Sequence, residues 1–383
     1  MRASATLRAG EWVEVKSAEE IRQTLDRNAQ LEGMPFMPEM LRFCGRRFRV
    51  AKRAHKTCDT VDYIGGRRLF NAVHLEGLRC DGDAHAGCNA LCLLFWKEAW
   101  LRKRDGPGDA TAQDARAATP VLPRPGEPEP GVGCTEGDIW RGTRAPAEPE
   151  NAPDPTYVCQ ATRLLEATVP LRRSDLGQYL EDFASGNVTL LRILGDFLFV
   201  AYATVIGGRY GLGTPLRWLY DTYQRLVDGT PYPDRRGKIP AGGKTPSRRL
   251  DLQAGELVRV RTLPEILETT DENLRNRGMG FHQEMVPFTG KTYRVLRRIE
   301  RIVHEKTGKL IQLKNDAVIL DDVVCQGRHI NNCRRFCPRS VYLYFREIWL
   351  ERVEAQPAQP ASGGAVEPPI SVPPGAAQEG LRP

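Results

Sequence analysis

The chain predicts an α+β protein: two related small β-barrel-like modules, each followed by a cysteine-rich turn and a helix, with a helical segment between them. Three observations carry this. Residues 10–92 align with residues 255–337 at a constant offset of 245 without a gap, and 26 of the 83 paired positions are identical, so a duplicated unit is expected. Both copies read as short alternating strands broken by loops, and residues 157–229 between them carry helix-type apolar spacing. The expected divisions are a first module over 1–104, a linker over 105–156, a helical middle with a basic loop over 157–250, a second module over 251–354 and a tail over 355–383.

Taken in order, each copy opens on an alternating strand, Trp12-Val13-Glu14-Val15 or Leu257-Val258-Arg259-Val260. Ser17 and Thr262 follow, each with a glutamate three residues on (Glu20, Glu265), which predicts capped helices over 18–25 and 263–270. Gly33 and Gly278 then turn the chain into a loop holding Phe36, Glu39 and Met40, or Phe281, Glu284 and Met285. A second strand is built around Arg-Val over 46–54 and 291–299, with Phe48 and Tyr293 expected to point inward. A third, near 71–78 and 316–324, runs into the first of three cysteines. Aromatic helices are expected over 95–101 and 345–350, where the offset has grown to 249. Pro338, in the four extra residues of copy two, suits the first turn of a new helix. The opening Gly-Glu-x-Val-x-Val, a long loop and an Arg-Val strand resemble SH3-like barrels. In the middle, Ser174 and Asn187 are expected helix caps, and Thr214-Pro215 opens a segment that Gly229 closes.

Of 28 prolines, 17 fall in residues 105–156 and 355–383, stretches rich in Ala, Gly and Glu with little to bury, hence expected to be disordered. The first stretch is acidic while the whole chain is +7, so the folded parts are distinctly basic. Residues 1–10 hold no apolar core of a secretion signal, which favours a cytoplasmic, reduced-thiol setting. The most apolar run, 188–206, is interrupted by Arg192 and Asp196, so a buried helix is expected and no membrane partner.

The chemistry resides in the thiols. Cys80-x7-Cys88-x3-Cys92 recurs as Cys325-x7-Cys333-x3-Cys337 while most surrounding side chains differ. Three cysteines leave one position to fill at a tetrahedral zinc site or an iron–sulfur cluster. In copy one, Cys58 beyond the Arg-Val strand or His85 between the cysteines would fill it. Copy two has Val303 where copy one has Cys58, but His304 is adjacent and His329 is the local alternative. Cys88 and Cys92, four apart, share a face if helical. The spacing matches neither ferredoxin motifs nor zinc ribbons, so zinc is favoured by a narrow margin and an iron–sulfur cluster stands beside it as the cofactor. Buried apolar thiols are the plainer alternative. Cys134 and Cys159 lie outside the repeats and are expected to be incidental.

Other signals are weaker. Arg47, Arg49 and Arg53 share a strand face, as do Arg294 and Arg298, a pattern that suits phosphates or another polyanion but more ordinarily marks a solvated face. Gly242-Gly243-Lys244-Thr245 lacks the spacing and the leading strand of a nucleotide-binding loop. Glu39 and Glu284 read as turn caps rather than acid/base groups. With His55 and His74 besides His85, copy one is the richer candidate if the chain is an enzyme.

The runs Leu31-Glu32-Gly33-Met34-Pro35-Phe36-Met37-Pro38-Glu39-Met40, Arg53-Ala54-His55-Lys56-Thr57-Cys58-Asp59 and Val73-His74-Leu75-Glu76-Gly77-Leu78-Arg79-Cys80, with the closing Phe345-Arg346-Glu347-Ile348-Trp349-Leu350, resemble an uncharacterised group of bacterial proteins. That resemblance implies a bacterial cytoplasmic setting and no particular mechanism. The expected function is therefore binding or scaffolding by duplicated metal modules, with an unknown protein or small molecule as partner. A metal or iron–sulfur redox enzyme in copy one is the alternative, and nucleic-acid binding the third reading.

Overall fold

The computed structural model describes residues 6–61, 65–107, 134–146, 148–149, 151–207, 213–227, 229–328 and 334–353. The protein is mixed α+β with several antiparallel sheets. Alternation in β1 (Trp12–Val15) buries Val13 and Val15, and α1 (Ala18–Arg22) follows, its capping box closed by Ser17 and Glu20. β2 (Arg47–Arg53) pairs with β1, Val13 opposite Phe48, so the ring enters the core as the pattern demands. A hairpin of β3 (Lys56–Cys58) and β4 (Gly66–Arg68) leaves this sheet before β5 (Ala72–Leu75) returns beside β2. β6 (Trp96–Lys97) and β7 (Leu101–Arg104) form the edges, giving the order β6-β5-β2-β1-β7.

The helix expected over 95–101 is thus replaced by strand, a 3-10 turn over Glu98–Trp100, and strand again. Pairing with β5 and β1 satisfies the backbone and lets Trp96 and Trp100 both reach the core, so tertiary pairing outweighs local spacing. The same correction holds for 345–350.

The expected disordered linker is ordered at its end. Thr135 caps α2 (Glu136–Arg141), and Cys134 and Ile139 pack into the first core together with Leu164. Residues 108–133 and 354–383 lie outside the described residues. The middle is less helical than its spacing predicts: it starts in turns, then β8 (Val169–Leu171) pairs with β4 and extends the hairpin to three strands. The helices α3 (Gly177–Ala184), α4 (Leu190–Gly207) and α5 (Gly213–Leu226) follow. Ser174 and Asn187 cap none of them. Asn187 instead accepts from Arg53 N and donates to Arg53 O, both at 2.8 Å, fastening the middle to β2.

The expectation that residues 188–206 are a buried helix is also corrected. Only Ile193, Asp196 and Ile206 of α4 are buried, whereas Leu191 is 82% and Leu198 72% exposed. Asp196 faces inward because Arg328 meets it at 2.7 Å. Among the described residues, α4 is long and apolar enough to cross a membrane by length and composition.

In the second half, β9 (Leu257–Val260), α6 (Leu263–Leu267), β10 (Thr292–Arg298), β11 (Arg301–Val303), β12 (Leu310–Gln312), β13 (Ala317–Val324), β14 (Tyr342–Arg346) and β15 (Leu350–Arg352) follow in turn. The sheet order is β14-β13-β10-β9-β15, with the same connectivity as in the first half. Register slips at Val50/Lys52 in one sheet and at Val295/Arg297 in the other, 245 positions on. Side chains match too. Trp100 Nε1 donates to Thr24 Oγ1 and Trp349 Nε1 to Thr269 Oγ1, each at 3.1 Å. Glu98 accepts from Leu7 N (3.1 Å) and Arg53 (2.6 Å), and Glu347 from Leu252 N (3.0 Å) and Arg298 (2.7 Å).

Candidate metal centre

Between the halves lies a cavity of about 540 Å³ whose walls include six thiols: Cys58, Cys80, Cys88, Cys92, Cys159 and Cys325. Cys80 and Cys92 are brought together by an antiparallel bridge between Arg79 and Leu93, and Cys80 N donates to Cys92 O at 2.9 Å. Between them the chain folds into a tight loop through Gly82, which has a φ of +85°; a Cβ there would stand 2.0 Å from Cys88 O, so only glycine fits. Cys88 and Cys92 therefore sit on a loop, not on one helical face as expected. The second half templates this loop: Asn89 N donates to Arg301 O at 2.8 Å, Asn89 Oδ1 accepts from Glu300 N and Arg301 N, and Val303 N points at Cys88 Sγ at 3.4 Å.

Glu39, Cys80 and His85 offer ligand atoms within 4.8 Å of one another. Glu39 comes from the 3-10 turn Pro38–Phe43, is buried, and its carboxylate finds no well-formed hydrogen bond, only the Cys80 thiol beside it. It is therefore not the turn cap the sequence implied. Burial pushes its pKa up, while a charged His85 would oppose this. Burial likewise drives the Cys80 thiol well above its usual range, Cys92 up to about 12 and Cys159 up to about 11. Without a cation these groups stay protonated; a bound metal would turn them into thiolates and release protons.

Cys58 lines the same cavity as the first-half triad. Its hairpin leans across to the other half, where Lys56 reaches Arg334 O and Arg339 bonds Thr60, and the Cys337 thiol first and burial second push the Cys58 thiol well above its usual range. Val303, its counterpart, is buried. His304 is exposed at the cavity rim, its Nδ1 engaged with Thr307 Oγ1 at 3.0 Å. His329 and Cys333 lie outside the described residues. Cys159, expected to be incidental, lines the cavity because Gln160 binds Phe95 N and O at 2.8 Å and pins the segment there. No local signal announces Cys159, since it has no counterpart in the second copy. No disulfide joins two cysteines among the described residues.

His55 meets Asp182 of α3 at 3.2 Å beside Lys56, and neither residue lines the cavity. His74 is fully buried, its Nδ1 2.9 Å from Leu94 O, and burial pulls its pKa down to about 4. A histidine held neutral in the fold contributes stability that is complete above its unfolded pKa of about 6.5 and is lost as pH falls from there toward 4. Urea unfolding at pH 7.5 and pH 5 is expected to show this loss, and His74→Phe to diminish it. An unchanged pH dependence in the variant would remove His74 as the cause.

The arginine face divides. Arg53 is buried between Glu98 (2.6 Å) and Glu181 (3.3 Å), and Arg298 is held by Glu347 (2.7 Å) and Asp316 (2.6 Å), so neither presents itself to a polyanion, contrary to expectation. Arg47 lies 3.7 Å from Glu14, Arg49 lies 3.7 Å from Glu76, and Arg294 bonds Gly255 O. Carboxylates balance much of the charge on that face.

No protein-family model, curated protein or solved structure matches the chain.

Proposed function

We propose that the chain is a thiolate metal protein built from two copies of one SH3-like module, working in a reducing, cytoplasmic setting. One observation carries the reading: six cysteines from both halves and the middle line a single cavity at their junction. Buried free thiols are common singly, but incidental burial does not account for so many around one space. Four of these, Cys80, Cys88, Cys92 and Cys159, supply the number of thiolates an iron–sulfur cluster needs, and its chemistry would be electron transfer or activation of a substrate in the same cavity. Zinc is the second reading. It is favoured by the mixed carboxylate, thiol and imidazole donors of Glu39, Cys80 and His85, close enough for one ion.

Anaerobic purification with iron, sulfide and zinc analysis tests this. A coloured protein with iron and sulfide, bleached by Cys80→Ser, is expected. Stoichiometric zinc in a colourless protein would select the second reading. Neither metal above background, with every thiol freely titratable, would overturn both.

A further inference from the structure

The middle helices carry their polarity inside out. On α3, Gln178 and Asp182 are buried, Asp182 held by Lys56, while Leu176, Leu180 and Phe183, spaced four and three apart, are exposed. On α4, Leu190, Leu191, Leu194, Leu198 and Val205 are all exposed and fall within about 100° of arc around the helix axis. Arg192 and Asp196, which interrupt this run in sequence, stand on the opposite side, and Asp196 turns inward onto Arg328. Exposed Trp218, Leu219 and Leu226 of α5 add to the surface. The three helices form one layer: the rings of Tyr179 and Phe197 meet at 5.0 Å, and Tyr202 Oη donates to Leu216 O at 2.6 Å. A surface helix ordinarily turns its apolar stripe to the core. Here ion pairs with the body hold the polar side inward and leave outside an apolar surface larger than soluble monomers ordinarily carry.

The charges beside this layer are unequal. Asp175 and Glu181 are held by Arg68, Asp221 by Arg235 and Asp234 by Arg217. Arg172 and Arg173, just ahead of Leu176, and Arg225, one heptad beyond Trp218, are exposed and meet no carboxylate among the described residues. We propose that the layer of α3, α4 and α5 docks the protein on an anionic lipid surface, with its leucines and Trp218 at the acyl boundary and Arg172, Arg173 and Arg225 among the headgroups. Although α4 is long enough to cross a bilayer, Ile193, Asp196 and Ile206 hold it against the body, so it lies along the interface. A second copy is the poorer occupant, because a self-paired patch would bring the same unneutralised arginines together. The docking does not depend on the metal reading.

The test is flotation of the full chain with vesicles of phosphatidylcholine alone or of equal parts phosphatidylcholine and phosphatidylglycerol. Wild type is expected to float with the anionic vesicles only, and to be released as salt is raised. Leu191→Glu combined with Leu198→Glu places charge where the side chains already face water; it is expected to keep the wild-type circular dichroism and to abolish flotation. Arg172→Ala combined with Arg173→Ala is expected to weaken binding by about 25-fold, at roughly fivefold per cation near the surface. Absence of flotation by wild type, equal flotation with neutral vesicles, or undiminished flotation of the folded leucine variant overturns the proposal. A wild-type dimer by light scattering that does not float, and that becomes monomeric in the leucine variant, overturns it in favour of a second copy.

Discussion

Glu347→Ala is expected to lower the unfolding free energy by about 3–5 kcal/mol, the range for stripping one partner from a buried ionic network. The carboxylate is buried and accepts from the backbone of Leu250, Asp251 and Leu252, with 3.0 Å to the last two, and from Arg298 at 2.7 Å. Alanine would leave three N–H groups and a guanidinium without this acceptor. Burial alone would raise the carboxyl pKa, but those backbone bonds and Arg298 prevail and hold it below the usual carboxylate range. Its contribution is therefore present above the unfolded pKa of about 4.3 and is lost as pH falls through the folded value. Glu347→Gln keeps an acceptor and is expected to cost less than alanine. Urea unfolding checks both, and a loss under about 1 kcal/mol for alanine would show that the network is dispensable.

Trp349→Ala is expected to cost a similar 3–5 kcal/mol through the cavity it opens. The indole is fully buried, meets Phe281 edge-on at 5.4 Å, and donates to Thr269. Thr269→Val isolates the hydrogen bond and should cost about 1 kcal/mol. Trp100→Ala tests the corresponding place in the first half, where Phe36 stands at 5.2 Å and Thr24 accepts. If the halves melt in separate transitions, each tryptophan variant is expected to shift only its own. Equal shifts of both transitions would instead indicate one cooperative unit.

Much of this was legible in the sequence. Alternation located β1 and β9, the Ser17 and Thr262 pairs located α1 and α6, and the Arg-Val runs located β2 and β10. What escaped was set by tertiary partners. The 95–101 segment spaces its aromatics like a helix, yet both neighbouring strands offer it a ladder. Helix α4 reads as core by composition, but only Ile193, Asp196 and Ile206 of it are buried. The candidate centre was partly visible: the first triad marked the loop of Cys80, Cys88 and Cys92, whereas Glu39 reads from the sequence as a turn cap. Cys159 and the crossing of Cys58 to Cys337 depend on long-range packing that no local spacing encodes.

The stitching of Asn89 to Glu300 and Arg301 bears on the order in which the molecule can be finished. The loop bearing Cys88 leans on a strand 211 to 212 residues downstream. At roughly 5–20 residues per second, the ribosome needs about 10–40 s to deliver that support. Until then the Cys88 loop lacks these partners, so the proposed centre could be completed only once residues 300 and 301 have been made and folded against it.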